Sequence, residues 1–275
     1  MKVSKEELKS VVEKLKQIGA KFEPPPPYVE YKVRLGNSVA LFYSSGTIVF
    51  GGKEPNRLRE LVAYLLSTRI DRTPRIGCDE AGKGEVFGPL VVACVVAKEE
   101  DFKELLYLRV RDSKKLSRKQ ILNLAEEIKK TCRGLVRVIK PEVYNKLYQR
   151  FKNSSKILAW AYEGLITKLL ENHDVGLVVI DKFSHSAEKF FEGKFGDVKV
   201  KVVPKADEED IVVASASIVA KAERIKYLQK LSRIAKFEIP EGNKDAGKLI
   251  LKIPKEKRKF FIKEHFSIKL PENDE

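Results

Sequence analysis

The stretch I-G-C-D-E-A-G-K-G-E-V-F-G-P-L-V-V-A-C-V-V, Ile76 to Val96, sets two adjacent carboxylates in a glycine-rich turn between two apolar runs. Ile76 and Cys78 read as the end of one strand and Leu90 to Val96 as a continuous buried strand, so Asp79 and Glu80 fall where the chain leaves the sheet. Carboxylates held at a strand end are natural ligands for a hard divalent cation. Gly82, Gly84 and Gly88 permit backbone conformations closed to other residues and let another backbone approach closely. The plainer alternative is a pair of solvated turn acids. A phosphate-binding loop competes as well, because Gly77-x-x-x-x-Gly82-Lys83 matches its pattern through the lysine. That reading fails at Gly84, where such a loop needs a Ser or Thr hydroxyl, and two acidic side chains would repel a triphosphate.

Lys and Arg outnumber Asp and Glu by 54 to 39, a net charge of +15 on 275 residues. The length suits one large domain or two smaller ones, and nucleic acid is the commonest counter-charge for a soluble basic protein. No apolar run has the length of a membrane span, and M-K-V-S-K-E-E-L at the start lacks the apolar core of a signal peptide, so a cytoplasmic location is expected. Cys78, Cys94 and Cys132 are odd in number and without C-x-x-C spacing, and the first two lie in predicted core strands. Neither a zinc site nor a disulfide is expected of them. A single Met and 34% charged residues resemble thermophile composition.

Residues 4 to 22 read as an amphipathic helix, with Ser4 and Glu7 at capping-box spacing and Leu8, Val11, Val12, Leu15 and Ile18 on one face; Pro24 to Pro27 end it. Three strand-like runs follow, Tyr28 to Leu35, Val39 to Tyr43 and Thr47 to Phe50, with turns at Gly36-Asn37 and Ser45-Gly46. A helix with Pro55 in its first turn and Leu58, Leu61, Val62 and Leu65 on one stripe completes a small α+β unit. Helices on one face of such a sheet leave the other open to a nucleic-acid backbone. Thr68 to Pro74 reads as a linker. Beyond it Ser117 caps a predicted helix carrying Ile121, Leu124 and Ile128. A strand at Leu135 to Ile139, a helix from Lys156 to Leu170, a strand at Leu177 to Ile180 and a helix around Ser215 to Leu231 then alternate as in an α/β domain.

The apolar run Leu177 to Ile180 ends in Asp181, and ligands of open α/β sheets gather beyond strand ends, so Asp181 can meet Asp79. The plainer role for Asp181 is a helix cap or turn former. A further cluster, Asp207-Glu208-Glu209-Asp210, reads mostly as helix N-terminal decoration, with one member able to do more. Three or four carboxylates, no His/Cys metal set and a basic surface suggest oxygen-ligated magnesium or manganese acting on phosphodiesters. Two ions would clamp the scissile phosphate, and no protein nucleophile is then needed. His173, His185 and His265 form no evident triad.

D-E-A-G-K-G-E-V-F-G-P-L-V-V at Asp79 to Val92 resembles the signature of the type 2 ribonucleases H, and its G-K-G and F-G-P resemble the bacterial ribonuclease HIII branch. Similar stretches are Tyr144 to Trp160, V-V-I-D-K-F at Val178 to Phe183, A-S-I-V-A-K at Ala216 to Lys221, K-E-H-F at Lys263 to Phe266, and Y-S-S-G-T-I-V-F-G-G at Tyr43 to Gly52. The resemblance implies a ribonuclease H-like α/β catalytic domain, residues 67–275, behind an N-terminal α+β TATA-binding-protein-like substrate-binding domain, residues 1–66. It implies hydrolysis of the RNA strand of RNA/DNA hybrids to 5′-phosphate and 3′-hydroxyl ends, with two Mg2+ or Mn2+ ions once substrate is bound. Asp79, Glu80 and Asp181 match three of the family's four carboxylates, and Asp207, in K-A-D, fits the fourth, with Asp210 as runner-up. Gly82, Lys83 and Gly84 match the tripeptide that grips the RNA strand, Ser113 and Lys114 lie in a stretch expected to hold phosphates, and contacts to the 2′-hydroxyl select RNA. A monomer without an obligate protein partner is expected. The rival reading is a non-catalytic nucleic-acid-binding protein, against which stand four intact candidate ligands.

Overall fold

The computed structural model describes residues 1–67, 71–108, 110 and 116–268. The chain forms two compact units, one of Met1–Thr73 with Lys98–Lys115, the other of Pro74–Ala97 with Leu116–Glu275.

The first unit opens with α1 (Lys5–Gln17), begun by the expected capping box: the Ser4 hydroxyl accepts the Glu7 N–H at 3.2 Å and the Glu7 carboxylate accepts the Ser4 N–H at 2.7 Å. The helix stops at Gln17 rather than at residue 22, because Gly19 takes φ +80° and turns the chain into β1 (Lys21–Glu23). A three-residue strand is too short to show a period of two, and Phe22 fits either pattern. β1 pairs with β2 (Val29–Leu35), followed by β3 (Ser38–Tyr43) and β4 (Ile48–Gly52) in one antiparallel sheet of order β1-β2-β3-β4. Val33, Ala40, Phe42 and Ile48 pack with α1 and α2 (Pro55–Ser67) in one core. Alternation puts Lys32, Arg34, Val39, Leu41, Tyr43 and Val49 on the opposite face. The short helix α3 (Asp101–Tyr107) belongs to this unit, with Leu106 against the same core.

The second unit is built on β5 (Arg75–Ala81), β6 (Leu90–Ala97), β7 (Arg133–Ile139), β8 (Leu177–Asp181) and β9 (Lys199–Val203), in the order β7-β6-β5-β8-β9. The first three run antiparallel; β8 and β9 lie parallel to β5. β6 is buried along its whole length, as a strand covered on both faces must be. On one face Ile76, Cys78, Val92, Val178 and Ile180 pack on α6 (Ser154–Leu170); on the other lies α8 (Ile211–Ala235). α4 (Arg118–Thr131) starts at the expected Ser117 cap, and α5 (Pro141–Phe151), α7 (Ala206–Glu209) and α9 (Ala246–Leu251) complete the unit. Among the described residues no helix is long and apolar enough to cross a membrane.

Two expectations are corrected here. β5 continues to Ala81, so Asp79 and Glu80 lie inside the end of a strand and not in a turn. Cys78 and Cys94, expected to stay reduced, form a disulfide, with Cα atoms 4.2 Å apart. The β5–β6 register places them directly opposite each other, and register is not visible in composition or spacing. Cys132 is buried and takes no part in that disulfide.

Candidate active site

Successive residues of a strand point to opposite faces, and this divides the two neighbouring carboxylates. Asp79 shares the α8 face with Gly77; Glu80 shares the α6 face with Ile76 and Cys78. Gly77 is required, because a Cβ there would lie 2.5 Å from the Val212 carbonyl carbon and the Val213 nitrogen. Without it the first turn of α8 could not rest on β5 beside Asp79.

Each carboxylate is met by a hydroxyl from the helix on its own side. Tyr162 of α6 donates its O–H to Glu80 Oε2, and Ser217 of α8 hydrogen-bonds the Asp79 carboxylate. Asp79 Oδ1 also accepts the Glu80 N–H at 2.7 Å. Asp181 enters from the parallel neighbour: Cys78 pairs with Ile180, so the next residue of each strand, Asp79 and Asp181, ends at the same level of the sheet. Asp181 Oδ1 accepts the Ala206 N–H at 2.7 Å, which ties the K-A-D segment to the end of β8 with half-buried Asp207 in the first turn of α7. Asp210 is differently engaged. Its Oδ1 accepts the N–H groups of Val212 at 2.8 Å and Val213 at 3.2 Å as the cap of α8, while Oδ2 lies 2.7 Å from buried Arg75 Nε.

Burial, then the charge of Glu80 and that of Asp181, push the Asp79 carboxyl well above the usual carboxylate range. Burial raises Glu80 to about 7, with Asp181 adding to the rise and the Tyr162 bond and Lys83 opposing it. Tyr162, fully buried beside these acids, is pushed well above its ordinary value and keeps the proton it donates. Like charges crowded in a dry place are what a divalent cation relieves, and an all-oxygen donor set suits magnesium or manganese. Among the described residues no three His, Cys, Asp or Glu side chains converge as a ready cage. Glu80, turned to the α6 side and engaged by Tyr162, accounts for part of that spread.

The other expected residues are placed unevenly. Gly82 takes φ +86°, and a Cβ there would lie 2.4 Å from Arg224 Nε. Lys83 Nζ donates to the Phe183 carbonyl, just past Asp181, so the lysine faces the carboxylates. Ser113 and Lys114 lie outside the described residues. His265 stacks on Tyr148 at 4.2 Å, in keeping with a packing role. Tyr162, Ser217 and Arg75 were not singled out in the sequence; a tyrosine inside an apolar helix and a serine among alanines carry no signal that names their partner.

These shifts give a signed expectation for the metal-free protein. A carboxyl raised by folding contributes stability fully present below its unfolded value and lost as pH rises through its folded value, about 7 for Glu80. Thermal melting without metal should therefore fall between about pH 5 and about pH 8, and saturating Mg2+ or Mn2+ should raise the melting temperature more at the higher pH. Glu80→Gln should flatten the metal-free profile. An equal metal-induced shift at both pH values would contradict the assignment of these acids as ligands.

Comparison with known proteins finds relatives along most of the chain. A family model described as Ribonuclease HII matches residues 76–269. Ribonuclease HIII of Protochlamydia amoebophila is 34% identical over 257 residues, 88% of this chain and 85% of the relative. Ribonuclease HIII of Aquifex aeolicus is 33% identical over 244 residues, 88% of this chain and 89% of the relative. Among solved structures, Aquifex aeolicus RNase H3 aligns with a TM-score of 0.61 at 31% identity, over 96% of this chain and 98% of that one. Bst-RNase HIII, in complex with Mn2+, aligns with a TM-score of 0.66 over 97% and 95%; at 23% identity it speaks to the fold alone.

Proposed function

The chain belongs to the ribonuclease HII family and is a metal-dependent ribonuclease H of the ribonuclease HIII type, and from that premise we propose how its residues cut the RNA strand of RNA/DNA hybrids. The observation that carries the proposal is the placement of Asp79, Glu80 and Asp181 near the ends of the neighbouring strands β5 and β8, with Asp79 raised by the charges of both of the others. With Asp207 they would hold two divalent ions, which when bound supply a hydroxide from water and neutralise the departing oxygen, leaving 5′-phosphate and 3′-hydroxyl ends. Tyr162 and Ser217 aim two of the carboxylates. Gly82, Lys83 and Gly84 grip the RNA strand beside the cut, and contact with the 2′-hydroxyl excludes DNA. A non-catalytic binding protein would tolerate Asn, Ser or Ala at the four acidic positions, and all four are acids.

Labelled RNA/DNA hybrid, RNA duplex and DNA duplex incubated with Mg2+, Mn2+ or chelator test this directly. Cleavage of the hybrid alone, abolished by chelator, is expected, with products that ligate without prior phosphorylation. Cleavage of both duplexes, or none with either metal, would overturn it.

We assign residues 1–66 to substrate holding and residues 67–275 to catalysis in a cytoplasmic monomer. The sheet face turned away from α1 and α2, where Lys32 and Arg34, both paired with Glu23, stand beside half-buried Tyr43 and exposed Val49, supports the first assignment, since cations among apolar and aromatic groups suit a nucleic-acid backbone. A protein beginning near Ser67 should still cleave, but bind hybrid more weakly and with a shallower salt dependence, because fewer phosphates are neutralised. Unchanged affinity with a large fall in melting temperature would leave residues 1–66 a structural role only.

A further inference from the structure

Two of the most deeply buried charges in the second unit have no part in the carboxylate cluster. Arg224 of α8 is 2% exposed and Lys263, near the chain end, is 0% exposed. Buried cations are costly to keep unless their hydrogen bonds are met, so where those bonds go indicates what they are for. Both go to one loop. Arg224 Nη2 donates to the Phe87 carbonyl at 3.0 Å and lies 2.8 Å from the Glu85 carboxylate; Lys263 Nζ donates to the Gly88 carbonyl at 3.0 Å. Burial, then the charge of Arg224, presses Lys263 down to about 7, a measure of how unfavourable the place is for an ammonium.

The neighbouring bonds have the same destination. Asn243 receives the Val86 N–H at 2.9 Å and donates to the Gly84 carbonyl at 2.8 Å, and Glu85 accepts the Gly242 N–H. The Gly88 N–H reaches the Phe261 carbonyl and the Lys263 N–H the Val86 carbonyl, each at 2.9 Å, around a bridge between Phe87 and Ile262. Val86 and Phe87 are anchored in an apolar cluster with Leu228, Phe261 and Ile262. Gly82 and Gly88 admit the support: a Cβ on Gly82 would strike the Arg224 side chain, and one on Gly88 would come within 2.6 Å of Leu228. The carbonyls of Gly84, Val86, Phe87 and Gly88 are thus held from the protein side, and none of these bonds uses the N–H of Lys83 or Gly84.

We propose that Arg224 and Lys263, with Asn243, are positioning residues that fix the Gly82–Gly88 loop in the shape that meets the substrate backbone. The inference rests on the reading that Gly82-Lys83-Gly84 grips the RNA strand. A preformed loop need not be ordered when hybrid binds, so losing the support should appear as lost affinity while the carboxylates stay intact.

The test is a double-mutant cycle on the full chain, read as hybrid affinity against salt in the absence of metal. Lys83→Ala should weaken binding about tenfold and reduce the salt slope by about one unit. Lys263→Met should do the same, and Lys83→Ala with Lys263→Met should be no worse than either alone, because both act through one phosphate contact. Asn243 is exposed, so Asn243→Ala provides the cycle in a folded protein if Lys263→Met does not fold. Full affinity in folded Lys263→Met or Asn243→Ala, or losses that simply add to that of Lys83→Ala, would overturn the positioning role while leaving the loop's grip intact. A Lys83→Ala protein with unchanged affinity and slope would instead remove the grip itself, and this inference with it.

Discussion

Asp79→Asn should reduce hybrid cleavage by at least about a thousandfold, roughly 4 kcal/mol of barrier, while the protein stays folded and binds hybrid in the absence of metal. Asn has the same shape and can keep the bonds from Ser217 and from the Glu80 N–H, so β5 and its contact with α8 are not disturbed. What disappears is a buried negative charge beside Glu80 and Asp181. Its loss has a second consequence that separates it from damage to the fold. Because ionised Asp79 is held in a dry and repulsive site, the metal-free variant should melt no lower than wild type at neutral pH, and the melting-temperature gain on adding Mg2+ should shrink. Activity within tenfold of wild type, about 1.4 kcal/mol, would falsify Asp79 as a direct ligand. A variant that melts early would point to a structural acid instead.

Part of this site is legible in the sequence and part is not. Continuous apolar runs placed β6 and β8, and the strand-end rule placed Asp79 and Asp181 together, because both are local or topological signals. Ser4 and Ser117 announced their helices for the same reason: a capping box is complete within four residues. What failed to show needed either more length or a partner. β1 is three residues long, and β9 (K-V-K-V-V) is a half-exposed edge strand rich in lysine. The Cys78–Cys94 bond and the Tyr162–Glu80 contact are pairings across 16 and 82 positions, fixed by strand register and by which face α6 covers. Two neighbouring acids among glycines read as a pair acting from one turn, whereas the strand sends them to opposite faces. The acidic run at Asp207 to Asp210 was ambiguous in another way: four adjacent acids have identical chemistry, and only their partners distinguish them.

Those partners lead to opposite expectations for Asp207→Asn and Asp210→Asn. The carboxylate of Asp210 is already committed on both oxygens, one to the first N–H groups of α8 and the other to Arg75, with side chains 5% and 16% exposed across the pair. Asn can preserve the cap but not the charge, so Asp210→Asn takes the Asp210 carboxylate away from a buried guanidinium, a loss of about 3–5 kcal/mol when one partner of a buried pair is removed. That variant should melt markedly lower, yet cleave hybrid at near wild-type turnover below its melting temperature. Asp207 stands beside Ala206, whose N–H is held by Asp181, and is only half buried. Asp207→Asn should therefore melt like wild type and lose cleavage by about a hundredfold or more at moderate metal, with part of the loss recovered at high Mn2+ if the ligand's main work is to hold an ion. Melting curves and single-turnover cleavage of the two variants, side by side across a metal titration, separate the roles. A stable but inactive Asp210→Asn protein beside an active Asp207→Asn protein would exchange the two assignments and require Arg75 to release Asp210 when metal binds.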